Sequence, residues 1–310
     1  MGLLVAGLEN IPPEAKGGAI TIGNFDGVHR GHRELISLLR KRADQISGPA
    51  VVLTFDPPPA QLLRPGSVPP SLTWMERRAE ILFDLGVDVV CVCATTRELL
   101  DLTAEAFFQQ ILMEQLGVAA VVEGPNFRFG KDRRGDVELL SDLCLSNRVQ
   151  FSIASGQSED GEWISSSRIR ALIEQGEIAS ANRLLVEPYR LTGVVGRGAA
   201  RGRQIGFPTA NLERVPVLVP QDGVYAGRVF VAEHSYAAAI NIGPNPTFSE
   251  SSRKIEVHLI DFSGDLYDQT LDIEILAQLR GVMQFQGIDS LVAQIQADVE
   301  QVRRLVATKK

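Results

Sequence analysis

The sequence predicts two folded units in tandem: an α/β unit on a parallel sheet, then an antiparallel β barrel or sandwich with a C-terminal helix. Three observations carry this. The chain has 310 residues, near the size at which one hydrophobic core stops growing. Strand-like and helix-like segments alternate through the first half, as in βαβ units. After Glu187-Pro188 the helices give way to short strands separated by turn residues. The predicted division is 1–186 and 187–310.

In the first unit the strands are Ala19–Ile22, Ala50–Phe55, Val87–Cys93, Val118–Glu123 and Gln150–Ala154. The helices are His32–Gln45, with Leu35, Leu38 and Leu39 on one face, then Met75–Leu85, Ala104–Leu116 and Val137–Arg148. Ligands in such sheets bind beyond the carboxyl ends of the strands. In the second unit the strands are Arg190–Val195, Gly223–Val231, Tyr236–Ile242, Lys254–Ile260 and Thr270–Leu276. A helix at Ile288–Ala307 carries Leu291, Ile295, Val299 and Val302 on one face.

Composition narrows the function classes. Apolar residues make up 45%, charged residues 22%, and the net charge is −7. That balance is ordinary for a soluble domain and lacks the basic footprint of a nucleic-acid binder. No apolar run is long enough for a membrane span. The N-terminal residues carry no basic region, cleavage site or myristoylation signal. Cys91 and Cys93 fall on one strand face and Cys144 stands apart, which predicts small core residues and a reducing cytoplasm. Small-molecule partners are expected, with no nucleic acid and no membrane; oligomeric state is not legible.

The segment Thr21-Ile22-Gly23-Asn24-Phe25-Asp26-Gly27-Val28-His29-Arg30-Gly31-His32 joins a strand to a helix. Backbone N–H groups at a helix start favour a phosphate. His29 and His32 are three apart and share a helical face. Each imidazole can donate a hydrogen bond to developing phosphate charge. Ile164-Ser165-Ser166-Ser167-Arg168-Ile169-Arg170 adds hydroxyls and a planar cationic fork, and also reads as an N-capped helix. Gly124-Pro125-Asn126-Phe127-Arg128-Phe129-Gly130-Lys131 is not a P-loop. Its glycine spacing is one residue too long, and Asp132 stands where Ser or Thr would hold Mg²⁺.

These three segments together resemble the nucleotidyltransferase module of bacterial FAD synthetases, a Rossmann-like α/β fold. The resemblance implies that Gly23, Asn24, Phe25, Asp26, Gly31, Ser165, Ser166 and Ser167 bind nucleotide. It gives His29, His32 and Arg168 the catalytic contacts to ATP phosphates, and puts Asn126, Phe127 and Phe129 at the flavin. Two positions depart from the family pattern. Pro58 stands where the family has a His, so that donor is missing, and Thr95 stands where an aromatic is usual.

In the second half, Gly196, Gly198 and Gly202 with Arg197, Arg201 and Arg203 make a flexible cationic loop suited to polyphosphate. It leads to Gly206-Phe207-Pro208-Thr209-Ala210-Asn211, which resembles the motif of riboflavin kinases. The resemblance implies an antiparallel β barrel. It assigns nucleotide to Gly198, Arg201, Gly206 and Pro208, and Mg²⁺ to Thr209 and Asn211. Asp222–Ala226, Asn241–Phe248, Glu256–Leu259 and Gly264–Tyr267 resemble further family segments. Glu274 is matched to the family's catalytic Glu, the acceptor of the ribityl hydroxyl proton, and His258 is read as structural.

The implied activity is ATP-dependent phosphorylation of riboflavin to FMN, then adenylylation of FMN to FAD with release of pyrophosphate. The alternatives are a kinase whose first domain has decayed, motivated by Pro58, and a non-catalytic flavin sensor.

Overall fold

The computed structural model describes residues 2–66, 68–198, 201–245 and 250–307, without the side chains of 201, 204, 245, 250 and 251. The chain divides into two compact units: 1–69 with 75–165, and 70–74 with 166–310.

In the first unit the elements run β1 (Leu3–Ala6), β2 (Ala19–Ile22), α1 (Arg30–Ile46), β3 (Ala50–Asp56), α2 (Pro59–Leu63), α3 (Met75–Asp84) and β4 (Val89–Ala94). They continue with α4 (Arg97–Asp101), α5 (Ala104–Phe107), β5 (Ala120–Glu123), α6 (Val137–Ser146), β6 (Gln150–Ile153) and the small hairpin β7 (Ser158–Glu159) and β8 (Glu162–Trp163). The six-stranded sheet has the order β1-β4-β3-β2-β5-β6, and all its pairings are parallel. Every residue of β2 is buried, as a parallel strand covered on both faces requires.

β1 was not expected. It is a four-residue strand on the sheet edge with only Val5 buried, so it carries little hydrophobic pattern. The deep face of α1 is Ile36, Leu39 and Ala43, one residue round from the face expected. The helix expected over Ala104–Leu116 widens after α5 into a π-turn segment at Phe108–Gln115. The wider turn keeps Phe108, Ile111, Leu112 and Leu116 together in the core. Cys91 and Cys93 share that core, as alternation predicts.

From β2 the chain builds outward through β3 and β4, then returns to place β5 on the other side of β2. The strand order therefore reverses between β2 and β5, where doubly wound sheets open a crevice for ligands.

The second unit holds α7 (Ser166–Glu174), α8 (Ile178–Leu184), β9 (Arg190–Gly196), α9 (Arg201–Gln204), β10 (Ala210–Glu213), β11 (Gly223–Val231), β12 (His234–Asn245), β13 (Glu250–Leu259), β14 (Thr270–Arg280) and α10 (Ile288–Ala307). Its strands close into an antiparallel barrel, β10-β13-β12-β11-β14-β9. Alternate residues such as Ile240, Ile242, Ile255, Val257, Ile273 and Ile275 fill the interior. β10 was not expected, because its four residues, Ala-Asn-Leu-Glu, lack β-branched side chains. α10 packs Val299 and Val302 against the cluster of Ala226 and Ile260. Its buried Asp298 receives a two-pronged hydrogen bond from Arg280 at the end of β14, at 3.1 and 2.8 Å.

Candidate functional site

The histidine segment lies beyond the carboxyl end of β2. Phe25 and Val28 both adopt left-handed backbone, at φ 48° and 22°, and both are buried. Such strain in a β-branched residue persists only where surrounding packing enforces it. Thr54 on β3 donates to the Asn24 carbonyl at 3.4 Å. Phe25 therefore serves the site from beneath, its ring tilted against His32 at 5.0 Å.

The two imidazoles build the start of α1 themselves. His29 is the N-cap, and its Nδ1 accepts the His32 N–H at 3.3 Å. His32 Nδ1 accepts the His29 N–H in return at 3.2 Å. The rings stack at 3.6 Å, 15° from parallel. An Nδ1 that accepts carries no proton, so each ring is the neutral tautomer with its N–H at Nε2. Burial lowers the His29 pKa to about 4, opposed by the charge of Asp26. Burial also pushes His32 well below its ordinary value, helped by His29 and Arg78. The pair is a double neutral donor at neutral pH. Two of the helix-start N–H groups expected to meet phosphate are engaged by the rings instead.

Gly31 packs closely against this stack. A Cβ there would stand 3.1 Å from His29 Nδ1 and 3.8 Å from the Ile164 carbonyl. The same contact brings the start of the serine–arginine segment beside the histidines. Ser165 is the last residue of the first unit, while Ser166, Ser167 and Arg168 begin α7, which clusters with the second.

Arg78 on α3 was missed by sequence reading. Its Nη2 lies 3.3 Å from Asp26 Oδ1, with side-chain exposures of 4% and 10%. The signal was Arg77-Arg78 on the core side of an amphipathic helix, where charge needs a partner. In the Asn126–Phe129 loop, Phe129 is a correction. It is buried, stacked on Phe127 at 5.5 Å and edge-on to Phe107 at 6.1 Å. It supports the loop and leaves Phe127 half-buried and Asn126 exposed above it. Pro58 caps α2, and Thr95 donates to the Pro57 carbonyl at 2.6 Å.

A pH prediction follows from His29. The unfolded imidazole titrates near 6.5 and the folded one near 4. Below pH 6.5 the unfolded chain binds a proton that the folded chain refuses. Stability is full above 6.5, falls as pH drops, and has lost about 3 kcal/mol once below the folded value. Denaturant unfolding of the first unit from pH 7 to 4 should show that loss, with a shallower slope in His29→Asn.

In the second unit a cavity of about 450 Å³ is lined by Arg197, Gly198, Asn211, Glu213, Arg253 and Lys254. Gly206, Pro208 and Thr209 are exposed and Asn211 half-buried. The Arg201 side chain lies outside the described residues, as do Thr247 and Phe248. His258 Nδ1 sits 2.8 Å from the Pro208 carbonyl, to which it donates, and its ring meets Phe207 edge-on. Gly202 is closely confined: a Cβ there would stand 2.2 Å from the Phe207 carbonyl oxygen. Gly202→Ala must displace the turn that delivers Thr209. The riboflavin phosphorylation that the resemblance implies should fall ~100-fold, the scale of a 1 Å misplacement, while the implied adenylylation of supplied FMN is retained.

Strand register locates a carboxylate that sequence reading passed over. Asn211 pairs with Gly196 on one side and Glu256 on the other. Glu256 pairs on with Asn241, Asn241 with Val224, and Val224 with Arg280. Directly opposed residues share a face, so Asn211, Glu256 and Asn241 form one row of oxygen-bearing side chains across three strands. Thr209, Asn211 and Glu256 offer only oxygen donors, the chemistry a hard divalent cation takes. Among the described residues there is no cluster of three His, Cys, Asp or Glu for a metal.

Glu274 does not fit the role expected of it. It pairs with Arg190 on β9, six residues from Gly196, or about 20 Å along a strand. Its carboxylate accepts from Arg190 at 2.7 Å and lies 3.6 Å from Arg228. A buried carboxylate between two guanidiniums is an ion-pair anchor, and it stands away from the Asn211 row. In sequence both glutamates alternate with apolar residues on a strand, so pattern alone did not separate them. Only the pairing of Glu256 with Asn211 across strands tells them apart.

Two family models match successive parts of the chain. Residues 11–168 match the family model for FAD synthetase and residues 185–306 that for riboflavin kinase. A bifunctional riboflavin kinase/FMN adenylyltransferase of Pseudomonas fluorescens is 37% identical, covering 98% of both chains. One from Escherichia coli K12 is 36% identical over 95% of both. A solved structure described as a macrolide-efflux protein from Streptococcus pneumoniae superposes with a TM-score of 0.87 at 30% identity, over 97% of this chain and 99% of that one. Among the described residues no helix is long and apolar enough to cross a membrane.

Proposed function

The chain belongs to the family of bifunctional riboflavin kinase/FMN adenylyltransferases, and from that premise we propose how its residues divide the work. The enzyme phosphorylates riboflavin to FMN with ATP and adenylylates FMN to FAD, releasing pyrophosphate. We assign adenylyl transfer to residues 1–186 and the kinase to 187–310.

In the kinase half, the observation that carries the assignment is the opposition of Glu256 to Asn211. Glu256 accepts the proton of the ribityl 5′-hydroxyl as that oxygen bonds to the γ-phosphorus, and ADP leaves with the bridging oxygen. Thr209 and Asn211 would hold Mg²⁺, which neutralises phosphate charge when bound. Arg197 and Lys254, lining the cavity, face the rest of the triphosphate, with Gly198, Arg201, Gly206 and Pro208 along its path. The flat flavin ring rests on the loop after Arg280, at the level of Glu256 on the register row. There Val282 and Met283 stand exposed at 38% and 47%.

In the other half, a phosphate oxygen of FMN bonds to the α-phosphorus of ATP and pyrophosphate leaves. His29 and His32 donate from Nε2 to phosphate oxygens as charge builds, with Arg168 and Ser165–Ser167 as further donors. A neutral donor neither gains nor loses a proton, so it stabilises charge without acid catalysis. Gly23, Asn24 and Asp26 frame the nucleotide, and Asn126 and Phe127 the flavin.

A cytoplasmic setting is supported by three buried thiols outside any disulfide. The deciding experiment follows riboflavin with Mg²⁺-ATP over time, resolving FMN from FAD. FMN should rise first and FAD follow. FMN without FAD at high enzyme concentration would favour the kinase-only alternative that Pro58 suggested.

A further inference from the structure

Glu123 is the last residue of β5 and is 2% exposed, yet neither reaction above uses it. It stands at the place where the strand order reverses. There the β2–β5 ladder stops at Ile20 opposite Val121, while on its other side β2 stays paired through Ile22 opposite Leu53. The two central strands thus part for their final residues, and backbone N–H groups on β2 lose their natural acceptors. The Glu123 carboxyl takes the vacated place. Its Oε1 accepts the Ile22 N–H at 2.7 Å, and the Thr21 hydroxyl lies 3.5 Å away. The N–H of Gly124 also donates to it, while burial pushes its pKa well above the ordinary carboxyl value.

Ile22 is the residue before the nucleotide segment, and Gly124 opens the loop assigned to the flavin. One side chain therefore ties together the roots of both loops. We propose that Glu123 is a positioning residue for adenylyl transfer, bridging the split between β2 and β5 and so fixing the distance between the nucleotide segment and the flavin loop. An apolar residue would suit a core position better, since a buried polar group needs partners to be tolerated. Its partners here are the two strand ends whose separation sets how the FMN phosphate meets the α-phosphorus.

The inference rests on assigning Gly23–His32 to the nucleotide. The test supplies FMN and Mg²⁺-ATP to the full chain and separates kcat from KM. Glu123→Leu removes the acceptor at similar volume, and Glu123→Asp withdraws it by one methylene. Glu123→Gln keeps an oxygen for Ile22. We expect Glu123→Leu to lower kcat for FAD formation ~10–100-fold, the scale set by misaligned reactants. KM for FMN and ATP should stay within about threefold. Glu123→Asp should follow in the same direction and Glu123→Gln lie nearer the wild type, with riboflavin phosphorylation unchanged in all three. Unchanged kcat in Glu123→Leu and Glu123→Asp overturns the proposal, as does an equal fall in both reactions. If Glu123→Leu fails to fold, Glu123→Asp carries the test. Failure of the underlying assignment shows separately, as FAD formation indifferent to His29→Ala.

Discussion

Glu256→Gln should abolish FMN formation, by ~10³-fold within the 10²–10⁴ range of a lost general base, while leaving conversion of supplied FMN to FAD within twofold. Gln keeps the shape and a hydrogen-bonding oxygen but cannot take the proton of the attacking hydroxyl. The row from Asn211 to Asn241 would stay paired, so riboflavin and ATP should still bind. Glu274→Gln provides the contrast. It strips the counter-charge from Arg190 and Arg228, whose side chains are 18% and 21% exposed. The expected loss is stability of the barrel, on the order of 3 kcal/mol, with kinase turnover per folded molecule preserved. Product assays read the first variant and denaturant midpoints the second. Normal FMN formation in Glu256→Gln would show that another group accepts the proton.

The second large effect belongs to the imidazole pair. His29→Ala and His32→Ala should each lower FAD formation ~10²–10³-fold, the range for removing one preorganised donor, with riboflavin phosphorylation intact. Each ring has two tasks, since Nδ1 caps the helix, which leaves Nε2–H as the donor for phosphate. Asn is a good N-cap but lacks a donor at the Nε2 position. His29→Asn should therefore regain about 1 kcal/mol of the stability lost in His29→Ala while remaining as slow. Recovery of the rate by Asn would mean that the cap, and not the Nε2 donor, is what adenylyl transfer needs.

Much of this was legible beforehand because the informative segments are short and local. The alternating segments announced the parallel sheet, and punctuation by Gly and Pro announced the barrel strands. His29 and His32 were found as a pair because three residues of spacing is a helical property. What escaped was set by pairing across strands. Glu256 gains meaning only from standing opposite Asn211, and Glu274 loses it by standing between Arg190 and Arg228. Arg78 and Glu123 were passed over for a related reason: each is an ionisable side chain whose partner lies far along the chain, at Asp26 and Ile22. Phe129 misled because an aromatic in a loop reads the same whether it faces a flavin or the core.

The two halves end their hydrogen-bonded networks differently. In the ring of β9 to β14 every strand has a neighbour on either side, so detaching any one strand must break two ladders at once. The six-stranded sheet stops at β1 and β6, where Leu3, Leu4 and Ile153 are exposed beside backbone groups turned to solvent. Deuterium should enter those two margins first and the ring last. Heated or concentrated protein should begin to associate at the margins, and a lysine on the outward side of β1 should delay it.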